Sequence, residues 1–296
     1  MSASSSVPIT TPLATQAERT GVRPKWWLIL RRSNRTLIGL ALILAVAVLT
    51  ILAPAISRYD PTFGDFNLTL SGPSTAHVFG TDDLGRDVFA RVLYGYRVSV
   101  LVGVVSVLAA VAVGAPLGLL AGYFGSTVDN LIMRPLDLLM SFPAILLAIT
   151  LVAVFGTKTS VTILALALIY FPIMARVLRG SVISVRGEEY VDAAKAIGAK
   201  PLRVMLRHVL PNSLGPLVVQ ASISMGIAIL IEAALSFIGL GTQPPDPSLG
   251  GMLAQGRDFM REAPWVVTFP GLAIMLAVLG FNLVGDGLRD LIAAER

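Results

Sequence analysis

Six long apolar runs set the limits on what this chain can become. The first, Thr36 to Ile56, carries no charged residue. At about 1.5 Å per residue it is long enough to cross ~30 Å of hydrocarbon. Five more follow: Val98 to Ala121, Asn130 to Phe155, Thr159 to Val177, Ser213 to Leu240 and Trp265 to Val284. Backbone in lipid must satisfy its own hydrogen bonds, and runs of this length do so as helices. The expected fold is an all-α polytopic membrane protein with six transmembrane helices. Composition agrees: 55% of the 296 residues are hydrophobic and only 14% are charged, against roughly 25% charged in soluble domains.

The same sequence excludes several chemistries. It has no cysteine, which removes disulfides, thiolate metal sites and cysteine nucleophiles. Two histidines, His77 and His208, offer little for a metal site or a proton relay. Gly156-Thr157-Lys158-Thr159 lacks the spacing of a phosphate-binding loop, and no Gly-x-Ser-x-Gly or His-Glu-x-x-His pattern occurs. Asp82, Asp83 and Asp87 lack the ligand spacing and terminal glutamate of an EF-hand, so metal binding is not expected there.

Residues 1–35 read as a Ser/Thr/Ala-rich tail ending in an interfacial segment, with Trp26 and Trp27 beside Lys25, Arg31, Arg32 and Arg35. Residues 36–97 hold the first helix, read as a retained anchor despite the cleavage-like Ala53-Pro54-Ala55, and a polar loop. That loop becomes amphipathic after Asp87 and is expected to lie along the membrane surface. Residues 98–296 hold the other five helices. Gly103, Gly114, Gly118 and Gly122 give the second span a close-packing face. Ser141-Phe142-Pro143 signals a kink in the third and Pro172 one in the fourth.

Of the 23 lysines and arginines, sixteen fall at the two termini, near Arg134 and between Arg176 and Arg207. The alternate loops hold seven, four of them in one long segment. The positive-inside rule places both termini and the charged stretch 187–212 in the cytoplasm.

That stretch reads as two helices with a break. Glu188 to Ile197 has good helix formers with acids in the first turn, and Gly198 ends it. Pro201 opens a second helix with Leu202, Met205, Leu206, Val209 and Leu210 on one side, and Pro211 stops it. Small Ala193, Ala194 and Ala196 leave a surface another protein can approach. Physics alone does not separate a docking surface from a solvated connector.

Two acids lie within the apolar runs, Asp137 and Glu232. A charge at the bilayer centre costs ~2.5–3.5 kcal/mol on insertion scales, so each must face the bundle interior, a cavity or a partner. Each has two readings: contact with a polar substrate in a pathway, or structural placement. Neither has a lysine or histidine partner within a span.

Asp192-Ala193-Ala194, Gly198 and Val209-Leu210-Pro211 resemble the EAA motif of bacterial ABC-transporter permeases, with Asp in the Glu place and Val in the Ile place. Gly80-Thr81-Asp82-Asp83-Leu84-Gly85-Arg86-Asp87 is similar to the signature preceding the second span in C-type dipeptide, oligopeptide and nickel permeases. Further matches lie at Gly239-Leu240-Gly241-Thr242-Gln243-Pro244-Pro245 and at Gly285 to Asp290, so the resemblance runs from Lys25 to the C-terminus. It implies an ABC importer permease fold in a bacterial plasma membrane. The EAA loop would be the coupling helix, with Glu189, Tyr190, Asp192, Ala193, Ala194, Ile197, Gly198, Arg203 and Pro211 meeting a cleft in an ATPase subunit. Asp137 and Glu232 are its candidate pathway residues. The implied partners are a second homologous permease, two cytoplasmic ABC ATPases and an extracytoplasmic solute-binding protein, with no nucleic acid. The chain itself would hold no cofactor and catalyse no reaction; ATP and Mg would sit in the ATPases. The implied cargo is dipeptides, oligopeptides or nickel complexes. A secondary transporter is the competing class, which would show inverted repeats and midplane ion-coupling residues; neither is evident. A membrane scaffold without transport is a third class.

Overall fold

The computed structural model describes residues 34–294. The expected tail, with Trp26 and Trp27, lies outside the described residues. Regular structure among the described residues is helical apart from two isolated bridges, Gly64 with Arg86 and Thr81 with Asp87. In chain order the helices are α1 (Asn34–Ile56), α2 (Val88–Phe124), α3 (Ser126–Met140), α4 (Ala144–Phe155), α5 (Thr159–Arg186), α6 (Glu189–Ala196), α7 (Pro201–Phe237), α8 (Leu249–Gly256) and α9 (Trp265–Ala294). Helices α1, α2, α5, α7 and α9 are long and apolar enough to cross a membrane; α3 and α4, bent by 82°, make a sixth span if taken together.

Three expectations change. The segment after Asp87 does not lie apart along a surface. It is the first part of α2, started by Asp87, whose Oδ1 accepts from the Ala90 N–H at 2.7 Å. Its apolar side is covered by protein: Val88, Val92 and Tyr96 share a core with Leu249 and Ala273, and the Tyr96 hydroxyl donates to the Ala273 carbonyl at 2.7 Å. The third run is not one kinked helix but two. Pro143 lacks an N–H and is itself extended, with ψ 124°, so the chain breaks there.

Finally, Pro211 does not stop the second helix of the charged stretch. That helix continues through the membrane as α7. A π turn over Met205–Val209 precedes the proline, with the Leu210 N–H bonded to the Met205 carbonyl. The register shift puts Pro211 in the first turn of the following α-segment, where its missing N–H costs little. The wider turn also splits the expected apolar side: Met205 and Val209 are buried, Leu202 and Leu206 exposed.

α2 is the centre of the packing. It lies on α5 through Gly114, Gly118 and Gly122, where a Cβ would come within 2.4 Å of the Phe171 carbonyl oxygen, 2.2 Å of Ala175's and 2.8 Å of Arg179's. The expected small-residue face is therefore used inside one chain. α1 packs on α9, with Gly39 against Leu283 and Gly280 against Leu42 and Ile43. Leu44 and Ile51 of α1 stay exposed, which suits lipid.

The loop between α1 and α2 forms a rigid cap over that end of the bundle. Its hub is Asp82, whose Oδ1 accepts from the N–H groups of Leu84 and Arg86. Its Oδ2 meets the guanidinium of Arg86 at 2.7 Å and of Arg91 at 3.4 Å. Both arginines also approach the side chain of Gln255, and the Trp265 indole donates to the Thr81 carbonyl at 3.1 Å. Gly85 has φ +70°, and a Cβ on it would lie 1.8 Å from the Asp65 carbonyl oxygen, so only glycine fits. The aspartates considered as a calcium loop are thus engaged by protein: Asp87 also meets His77 Nδ1 at 2.9 Å.

Candidate functional site

At the end of the bundle opposite the cap, α5 runs into a short elbow formed by α6 and the start of α7. The break between them is a Schellman cap. Gly198, at φ +82°, donates to the Lys195 carbonyl, and Ala199 donates to that of Ala194. Lys200 and Pro201 then start α7, with proline at the first helical position. The elbow is seated by Val191 and Ala194, which join the core containing Val185, Val204 and Met205. Arg186 fixes the end of α5 by donating to the Tyr123 carbonyl at 2.6 Å.

The residues expected to meet a partner divide between two faces. Ala194 is buried, a correction to the expectation that all three alanines are exposed. Glu189, Tyr190, Asp192, Ala193 and Ala196 are on the surface, and Ile197 is 86% exposed at the tip beside Gly198. Arg203 and Pro211 are exposed on α7. Burial, with the charge of Glu188 beside it, pushes the Tyr190 phenol above the ordinary tyrosine range; the Asn212 side chain acts the other way. An apolar tip ringed by acids and small residues is a built surface on an otherwise oily chain.

Glu232 lies near the cap end of α7 and is 1% exposed. Its two carboxylate oxygens accept from Ser99 Oγ of α2 and from Ser236 Oγ, each at 2.7 Å. Asp137, on α3, pairs with Arg176 of α5. Next to it Arg179 grips both oxygens of Asp129. Charge counting groups Arg176 with the loop, but its helix carries it back toward the break between α3 and α4. No local pattern in the sequence signals either pair, because each joins two helices far apart in the chain.

The geometry can be set beside known proteins. The inward-facing MetNI methionine ABC transporter has a chain of the same fold: TM-score 0.57, 20% identity, covering 70% of this chain and 97% of that one. The fold is that of an ABC importer permease. Residues 114–295 match the model of the binding-protein-dependent transport system inner membrane component, and residues 25–73 match the N-terminal transmembrane domain of oligopeptide transport permease C. The chain belongs to the binding-protein-dependent transport system inner membrane components; it is a multi-pass membrane subunit of an ABC transporter complex. It is 47% identical to the dipeptide transport system permease protein DppC of Alkalihalophilus pseudofirmus, over 88% of this chain and 86% of that one. It is 41% identical to DppC of Haemophilus influenzae, over 95% and 96%. It is 42% identical to the di/tripeptide permease DppC of Pseudomonas aeruginosa, over 90% of each.

Proposed function

We propose that this chain is the permease subunit through which an ABC importer passes short peptides into the cytoplasm. The observation that carries the reading is the ordered elbow: α6 and Ile197 stand exposed between two membrane helices whose packing reaches the opposite end of the bundle. The peptide class follows the dipeptide, di/tripeptide and oligopeptide permeases to which the chain is similar. Residues 98–296 carry transport, and residues 36–97 supply the peripheral first helix and the outer cap. The distribution of basic residues supports both termini and the elbow on the cytoplasmic side. A second related permease completes the pathway, two ATPases bind ATP and Mg and receive the elbow, and a solute-binding protein delivers cargo at the cap.

In this reading ATP-driven closure of the ATPase pair pushes on Glu189, Tyr190, Asp192, Ala193 and Ile197. Gly198, Arg203 and Pro211 hold the shape that transmits the push, through α5 and α7. Asp137 borders the pathway. Glu232 reaches it when α2 and α7 move apart.

Charge reversal at Asp192 tests the docking. Its side chain is 68% exposed and, among the described residues, pairs with Lys195 alone, an i, i+3 surface contact worth ~0–1 kcal/mol. Asp192→Lys should therefore leave melting of the isolated permease unchanged while weakening co-purification of the ATPases and transport-coupled hydrolysis. Full co-purification with normal coupling would remove α6 from the interface.

A further inference from the structure

The pair formed by Arg176 and Asp137 stands in a different setting from its neighbour. Arg179 and Asp129 are largely covered, with side chains 33% and 18% exposed. Arg176 and Asp137 are 51% and 57% exposed. Yet both residues belong to candidate membrane spans, Asp137 to the bent pair of α3 and α4 and Arg176 to α5. Helix α4 has 12 residues and rises about 18 Å, short of the ~30 Å of hydrocarbon. The break before it, with Asp137 one turn back on α3, is therefore short of a full crossing measured along α4 alone. Charges within a span face a cavity or pathway.

A groove opens on the arginine side of the pair. Arg176, Val177, Gly180, Ser181, Ser184 and Pro216 line a groove of about 410 Å³. At Val177 and Pro216 it adjoins a second of about 610 Å³ that reaches Gln220 and Arg289. Both volumes lie in the ~300–1,000 Å³ range of small-molecule sites. A Cβ placed on Gly180 would meet nothing within 4 Å. Ser181, 8% exposed, has a buried Oγ without a hydrogen-bond partner among the described residues.

We propose that Arg176 and Asp137 form a charge-exchange site for the two termini of a zwitterionic peptide, an inference that rests on the peptide-importer reading above. The peptide carboxylate takes the Arg176 guanidinium and its ammonium takes the Asp137 carboxylate. Opening the pair alone would leave two charges uncompensated in a low dielectric. A zwitterion replaces both partners at once, so exchange is close to neutral and the cargo is held weakly enough to leave. A peptide capped at one end replaces one partner and strands the other charge.

The test reconstitutes the permease with its partner permease, ATPases and binding protein in liposomes. Uptake per ATP hydrolysed is compared for Ala-Ala, Ala-Ala amide and N-acetyl-Ala-Ala. Selection by the binding protein is common to all variants, so the change in ratio belongs to the permease. Arg176→Gln should reduce discrimination against the amide by about tenfold, and Asp137→Asn should do the same for the acetylated peptide. The double variant R176D/D137R restores a pair and should restore both preferences, which covers the case in which a single variant fails to assemble. Single variants that transport with wild-type ratios, or a double variant that assembles without either preference, would overturn the exchange site. Failure of the wild-type complex to move any of the three peptides would instead overturn the peptide reading, and this inference with it.

Discussion

Asp82 and Arg86 are joined twice: one carboxylate takes the backbone N–H of Arg86 at 2.9 Å and its guanidinium Nε at 2.7 Å. Both side chains are buried, and Arg91 closes on the same carboxylate from the first turn of α2. The cap, the start of α2 and Gln255, at the end of α8, therefore share one electrostatic centre.

Removing that centre should be costly. Asp82→Ala leaves two buried guanidinium groups, with Asp83 at 3.7 Å from Arg86 as the remaining nearby carboxylate. Breaking a buried ion pair from one side costs about 3–5 kcal/mol. The expected result is a lower melting temperature in detergent and new protease cleavage within residues 57–87. Unchanged melting with an intact cap would show that solvent can carry these charges.

The glycines of α2 give a matched comparison. Gly118→Leu places a side chain where a Cβ already comes 2.2 Å from the Ala175 carbonyl oxygen, so α2 and α5 must separate. Gly180→Ala, on the open side of α5, meets nothing within 4 Å and removes the ~0.5–1 kcal/mol cost of a helical glycine. Thermal unfolding should fall sharply for the first and hold or rise slightly for the second. Equal effects would mean that α2 and α5 do not depend on close backbone approach.

How much of this was legible in the sequence differs by the kind of signal. Six apolar runs and the glycines at 114, 118 and 122 announce themselves, because length and small size act locally. The elbow's break was readable for the same reason: Gly198 and Pro201 state their own backbone preferences. Pro211 misled because a π turn, which no residue pattern marks, moved it into a tolerated register. Ala194 looked equivalent to Ala193 until α6 packed on one side. The pairing of Arg176 with Asp137, 39 residues apart, and of Ser99 with Glu232, 133 apart, depends on which helices become neighbours, and local pattern carries no information about that.

Glu232 offers a graded test of a buried acid. Glu232→Gln keeps the shape and an acceptor for one of the two serine hydroxyls. Glu232→Ala leaves Ser99 and Ser236 without their partner; an unmade buried hydrogen bond costs ~1–3 kcal/mol. Insertion and assembly should survive the glutamine and weaken with the alanine. Peptide uptake should fall for the glutamine as well if the carboxylate acts when α2 and α7 separate. Normal uptake by a normally assembled Glu232→Gln complex would remove Glu232 from the pathway.

Gly198 isolates the mechanical part of the account. Its φ of +82° is the left-handed region, and a Cβ there would touch nothing within 4 Å. Any effect of substitution therefore comes from backbone strain and not from a clash. For most L-residues that strain is ~1–2 kcal/mol, whereas asparagine visits the region routinely. Gly198→Val should distort the turn between α6 and α7 and reduce ATPase activity coupled to transport, with little change in the melting of the isolated permease, since the elbow is at its edge. Gly198→Asn should retain most of the coupled activity. The comparison is made on the reconstituted complex with delivered substrate, measuring hydrolysis and uptake together. If valine and asparagine both behave as glycine does, the shape of the elbow does not transmit force, and α6 would be only a contact.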